Sequence, residues 1–263
     1  MKQTVFSITI IVLFCAVVIF LAEPSYGQSS TSIIKPESAP IAKPYSNETD
    51  IGVVLLSGNS PSDSYNIKQI SIYKWDFNTV RGVADYLQTR SVDPNTGDSV
   101  ETAFKWDVGA RYEFSQNATV SYFGGYLLES NVYAGFLRRH NTDLGAKILL
   151  EKTPNYEVFG EPGYRYIHQD NTDETHDYSN NLRLYIEGNY HFNPTSLAQL
   201  WVEYLANVNR VPGWKTNGEV SVSSAMNTWL SLKVAYLVNH DDAPPAGKKK
   251  TDTTFTTALV SKF

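Results

Sequence analysis

Cysteine is nearly absent from this 263-residue chain, and the only one, Cys15, lies inside the apolar run from Val5 to Ala22. A product cleaved after that run has no disulfide, no thiol chemistry and no thiolate metal site, so its fold must hold without covalent staples. Charge is scarce too. Asp, Glu, Lys and Arg make up 19% of residues with a net charge of −5, and no basic patch of the kind nucleic acids require is present. Long apolar runs are missing beyond residue 22, and no stretch past residue 50 carries a helical period. Those two absences argue against a helical membrane domain beyond residue 22. What the chain does have is aromatics: 13% of its residues, 17 of them Tyr.

The N-terminus reads as a secretory signal peptide over residues 1–27. Lys2 supplies a positive start, Val5 to Ala22 the apolar core, and Ser25-Tyr26-Gly27 small residues at the −3 and −1 positions of a cut before Gln28. An uncleaved anchor is the alternative. Residues 28–49, rich in Ser, Pro, Thr and Ala without apolar periodicity, read as a disordered periplasmic leader. From residue 50 to 263 the composition is uniform, which indicates one domain.

Its dominant signal is period two. Phe104, Trp106, Val108, Ala110, Tyr112 and Phe114 alternate with Ala103, Lys105, Asp107, Gly109, Arg111 and Glu113. Leu182, Leu184 and Ile186 likewise alternate with Arg183, Tyr185 and Glu187. Such alternation gives a strand one apolar and one polar face. About twelve such segments follow from residue 50, the first near 50–57, and most are well above the usual strand length of about five or six residues. Tiny Asn-containing turns, such as Gln116-Asn117 and Met226-Asn227, alternate with longer polar connections at Asp93 to Asp98, Asn131 to Leu137, Asp170 to His176 and Asp241 to Gly247. Aromatics cluster near the short turns (Trp75, Phe114, Tyr156, Phe192, Trp229) and toward the opposite rim (Tyr86, Tyr166, Tyr178, Trp214). The pattern predicts an all-β transmembrane antiparallel barrel of about twelve strands, with short periplasmic turns, longer extracellular loops and two aromatic girdles.

The polar face then lines the lumen. Its bases are Arg81, Lys105, Arg111, Lys147, Arg165, Arg183, Lys215 and Lys233. Its acids are Asp85, Asp107, Glu113, Asp143, Glu151, Glu157, Glu161, Glu187, Glu203 and Glu219. A strongly selective pore would carry one sign, whereas near-balance predicts an ion-pair network that either fills the lumen or leaves a narrow solute channel. Arg138-Arg139 and Lys248-Lys249-Lys250 fall at the outer rim, where they would meet lipopolysaccharide phosphates or serve solubility alone.

Catalysis finds little support. There is no Gly-x-Ser-x-Gly and no His-x-x-x-His among His140, His168, His176, His191 and His240, so no catalytic residue is assigned. Glu157 and Glu161 share a strand face but lack a cleft. The segment from His168 to Asp177 is dense in oxygen and imidazole ligands yet has no EF-hand spacing. It reads as a solvated loop, with no metal or cofactor assigned.

The rim sequence Ser57-Gly58-Asn59-Ser60, the stretch Pro245-Ala246-Gly247-Lys248-Lys249, then Thr251-Asp252-Thr253 and the final Phe263 together resemble a known family. It is domain-of-unknown-function family 481, described as salt-induced outer-membrane proteins, and the resemblance spans residues 50–263. It implies an outer-membrane barrel without an established activity, whose terminal Phe263 would be read by the barrel-assembly machinery. The expected role is structural or tied to envelope stress in a Gram-negative outer membrane, with a narrow small-solute channel as an extension. An outer-membrane lipid hydrolase and a soluble periplasmic barrel holding a lipophilic ligand are the alternatives.

Overall fold

The computed structural model describes residues 44–56, 62–93, 95–209, 213–244 and 249–262. The expected signal peptide, most of the leader, Ser57 to Ser60, Lys248 and Phe263 lie outside the described residues. Twelve strands follow one another: β1 (Tyr45–Leu56), β2 (Ser62–Trp75), β3 (Asn78–Val92), β4 (Ser99–Ser115), β5 (Val120–Asn131) and β6 (Phe136–Lys152). The second half is β7 (Tyr156–Asn171), β8 (His176–Asn193), β9 (Ser196–Asn207), β10 (Trp214–Ala225), β11 (Leu230–Asp241) and β12 (Thr251–Lys262). Each pairs antiparallel with its sequence neighbour, and β1 pairs with β12, so the sheet is a closed barrel.

β1 begins at Tyr45, five residues before the expected domain start, so the last part of the expected leader is strand. Ser46, Asn47 and Thr49 carry no apolar signal, yet they find their partners along β2, where Asn47 accepts from Gln69 at 2.5 Å and from Ser71 at 2.7 Å. Strand runs also reach further into two expected loops. Only four residues separate β5 from β6, and only four separate β7 from β8.

The strands are 12 to 18 residues long, longer than the roughly 9–11 residues that cross a bilayer. At one end the connections take two to four residues; at the other they take four to nine. Asparagine side chains close three of the short ones. Asn117 Oδ1 accepts the Thr119 and Val120 amides, both at 2.8 Å, and Asn227 Oδ1 accepts those of Trp229 and Leu230, both at 2.9 Å. A side chain that closes the turn in this way replaces backbone partners the turn lacks. Asp76, in the two-residue β2–β3 turn, takes the left-handed conformation at φ 47°.

Alternation sorts the barrel inside out relative to a soluble protein. Leu144, Leu182, Leu184, Val108 and Ile67 point outward and are 48–60% exposed, whereas Arg165, Glu161 and Glu203 point inward at 0–1%. Exposed aromatics form two levels, with Tyr73, Trp75, Phe114, Tyr122 and Phe192 near the short turns and Tyr86, Tyr126, Tyr166 and Tyr178 near the longer loops.

Candidate functional site in the barrel lumen

Inward side chains come from the odd-numbered positions of β3 to β10, because residues two apart on a strand share a face. On β4 to β9 they assemble an arginine network. Arg111 reaches Glu161 with both terminal nitrogens, at 2.6 and 3.0 Å, and Glu113 at 3.1 Å. Arg183 bridges Glu161 at 3.0 Å and Glu203 at 2.6 Å. Arg165 grips Asp143 with two bonds of 2.6 Å and reaches Glu203 at 3.0 Å, where Asn217 also donates at 3.1 Å. The planar guanidinium fork suits such shared carboxylates, and each buried charge ends with an opposite partner.

Aromatic rings inside the barrel set the height of these arginines. The Arg111 guanidinium lies 3.7 Å over the Phe123 ring, and Lys147 Nζ lies 4.4 Å over Phe159. Phe123 can lie flat because Gly145 stands beneath it. A Cβ at Gly145 would fall 2.7 Å from Phe123 Cζ and 2.7 Å from the Pro162 carbonyl oxygen. Phe159, Tyr185 and Trp201 form a small buried cluster alongside, and the Tyr185 hydroxyl donates to Glu187.

The remaining sector, on β1 to β3 and β10 to β12, is built differently. Asp50, Lys68, Asp85, Asp107 and Glu129 follow one another across β1 to β5 in a single row of paired residues. In that row Asp50, Asp85 and Asp107 face Lys68, whereas Glu129 is paired with Arg139, the next residue of the row on β6. Lys68 faces Asp85, Glu219, Asp107 and Asp50, and Lys233 stands 3.8 Å from Asp50 and 3.9 Å from Glu219. Arg81 and Lys105 are half-buried here, with more solvent contact than the arginines opposite.

Above the network, at the end with longer connections, a cavity of about 600 Å³ opens among Gln169, Asn171, Asn181, Asn207, Lys215 and Asp241. Lys215 donates to Asp241 at 2.6 Å. At the same end the Tyr133 hydroxyl donates to the Glu101 carbonyl at 2.6 Å. Desolvation and the neighbouring Glu101 carboxylate push that phenol up.

Two expected placements change. Arg139 is not a rim residue: it points inward at 4% exposure, donates to Gln169 at 2.6 Å, lies 3.4 Å from Glu129 and stacks 3.8 Å over Phe136. Adjacent strand residues face opposite ways, so only Arg138, 64% exposed, faces outward. Lys249 and Lys250 are exposed, with Lys250 3.0 Å from Asp242. Glu151 also leaves the lumen. A bulge between Leu149 and Glu151 shifts the register of β6, sets Glu151 opposite the outward Val158, and brings it under the Tyr156 hydroxyl at 2.5 Å. Glu157, 3.3 Å from Lys152 near a short turn, and Glu161, deep in the network, share no partner.

Asp50, Lys68, Glu129 and Asn141 are among the inward groups that escaped the sequence reading. Lys68 was legible from Ser64-Asn66-Lys68 alternating with Tyr65 and Ile67; Asp50 lay at a strand start that the polar leader obscured. The histidine hydrogen bonds run to Tyr126, Asp170 and Thr251. Among the described residues no hydrogen bond pairs a histidine with a serine.

A profile for proteins of unknown function, DUF481, matches residues 49–263. The chain belongs to the DUF481 family. No protein of curated function matches it. Among solved structures, the DUF481 barrel is similar to an outer-membrane channel from Pseudomonas putida F1, at 12% identity and a TM-score of 0.54, over 89% of this chain and 100% of that one. It is also similar to the NanC porin, at 12% identity and a TM-score of 0.51, over 82% of this chain and 98% of the porin. At such identity the likeness is one of fold, that of a closed antiparallel barrel.

Proposed function

We propose that this DUF481 protein is an outer-membrane barrel with a structural role in the envelope, passing only small hydrophilic solutes through a narrow lumen. One observation carries the membrane reading: apolar side chains cover the outside between two aromatic levels while the charges are buried inside. Water would penalise that exterior heavily and lipid favours it. A soluble barrel for a lipophilic ligand needs the reverse arrangement. Arg138 and Lys249, exposed at the end with longer connections, would then meet lipopolysaccharide phosphates. The narrowness rests on the arginine network, whose paired side chains occupy the lumen beside β4 to β9.

Fractionation tests the location. The protein is expected in the outer-membrane pellet after an alkaline wash and should run faster on gels unheated than boiled; recovery as soluble periplasmic material overturns the reading. Planar bilayers test the lumen. Small conductance steps support a narrow passage, whereas large, porin-sized steps overturn it.

A further inference from the structure

We propose a divalent transition-metal site on the outer rim of the barrel, formed by His168, Asp170 and His176. Their ligand atoms lie within 4.8 Å of one another. His168 Nε2 is 3.4 Å and His176 Nδ1 2.7 Å from the same Asp170 oxygen.

The placement follows from strand geometry. His168 and Asp170 are two apart on β7 and share its outward face, and His176 opens β8 directly opposite Asp170 in the register. All three lie on the outside, with His168 level with Tyr178 and one outward position beyond Tyr166, so the site is separate from the lumen. Spacing along the sequence conceals it: the two histidines are eight residues apart and meet only because a tight turn folds β8 back.

The positions are held before any ion arrives. The His168 ring is stacked between Tyr178, at 4.5 Å and 7°, and His140, at 5.4 Å and 18°. His140 is itself anchored by the Tyr126 hydroxyl at 2.6 Å. The β7–β8 turn closes through the Asn171 amide donating to the Thr175 carbonyl at 2.9 Å. Asp173 locks it further, accepting from the Thr175 hydroxyl at 2.6 Å and amide at 3.1 Å, and Glu174 takes φ 65°.

The donor set selects the ion. Two imidazoles and one carboxylate suit zinc, copper or nickel, whereas calcium and magnesium want six or more oxygens. Ligand bonds of about 2.0–2.1 Å in tetrahedral geometry put donor atoms roughly 3.3 Å apart. The His168–Asp170 distance of 3.4 Å already matches, and the 2.7 Å His176–Asp170 contact needs to open by about 0.6 Å. Three protein ligands leave the fourth position to water. Arg138, 3.9 Å from the far Asp170 oxygen, keeps that carboxylate turned toward the histidines.

The test uses tag-free, detergent-purified full-length barrel and Zn²⁺ or Co²⁺ alone. Titration calorimetry should give one equivalent of Zn²⁺, and Co²⁺ should develop the intense visible bands of a tetrahedral site. His168→Ala and His176→Ala should each weaken binding by more than about 100-fold, exceeding what loss of an outer hydrogen bond causes. His140→Ala, which removes only a stacking neighbour, should weaken it by less than about tenfold. Because His176 is 61% exposed, its variant should keep the unheated gel mobility of the folded barrel. Unchanged Zn²⁺ binding in His176→Ala, or Ca²⁺ binding as tight as Zn²⁺, overturns the proposal.

Discussion

The two sectors of the lumen carry charges of both signs and treat them differently. On β4 to β9, Arg111, Arg165 and Arg183 divide Glu161, Glu203 and Asp143 among themselves at 2.6–3.0 Å. Across the barrel, Lys68 and Lys233 stand among Asp50, Asp85, Asp107 and Glu219, and Lys233 comes no nearer than 3.8 Å to its carboxylates. An arginine fork fixes direction as well as charge, so it builds a wall. A lysine ammonium is a mobile, strongly hydrated point charge, so it balances its neighbours without filling the space. The arginine sector is therefore the rigid wall of the lumen, and under the proposed channel reading the lysine sector is the side along which water and small ions would pass.

The contrast is easiest to break at Glu203, which serves Arg165, Arg183 and Asn217 at once. Glu203→Gln removes the carboxylate that Arg165 and Arg183 share, leaving each buried guanidinium a single acidic partner, and should cost about 3–5 kcal/mol, read as a fall in the urea midpoint of the folded gel form. Gly145→Ala comes next. Its Cβ displaces Phe123 and tilts Arg111 away from Glu161, an overpacking cost of about 1–3 kcal/mol by the same measurement. Lys68→Met should leave folding largely intact and act electrically: with the row of carboxylates unbalanced, the reversal potential in a salt gradient shifts toward cations. A shift toward anions would refute the assignment of that row to the conducting side. Lys152→Ala removes an ion pair with a half-exposed lysine at the short-turn end, and stability should change by less than about 1 kcal/mol.

The sequence shows the barrel because period two is a local signal, repeated strand after strand. Positions such as Arg183, Glu187, Lys105 and Asp107 follow from parity alone. Parity fails where the backbone departs from it: the bulge at Leu149 turns Glu151 outward, and no residue type announces that bulge. It also misassigns pairs of neighbours, since Arg138 and Arg139 read as one cluster until a strand separates them. Partnerships are out of reach for a different reason. Arg111 and Glu161 are fifty residues apart, and their meeting depends on how far each strand slides past the next as the sheet closes. The rim histidines share that difficulty, because a turn rather than a spacing brings them together.

The circle is not equally thick all the way round. β1 pairs with β2 from Tyr45 to Leu56, whereas among the described residues its pairing with β12 runs between Glu48↔Lys262 and Ile51↔Leu259. Parting that short stretch turns the cylinder into a curled sheet with two free edges, each offering unpaired amides and carbonyls to another strand. The same few residues thus mark where a nascent barrel completes itself and where deuterium should enter a finished one first.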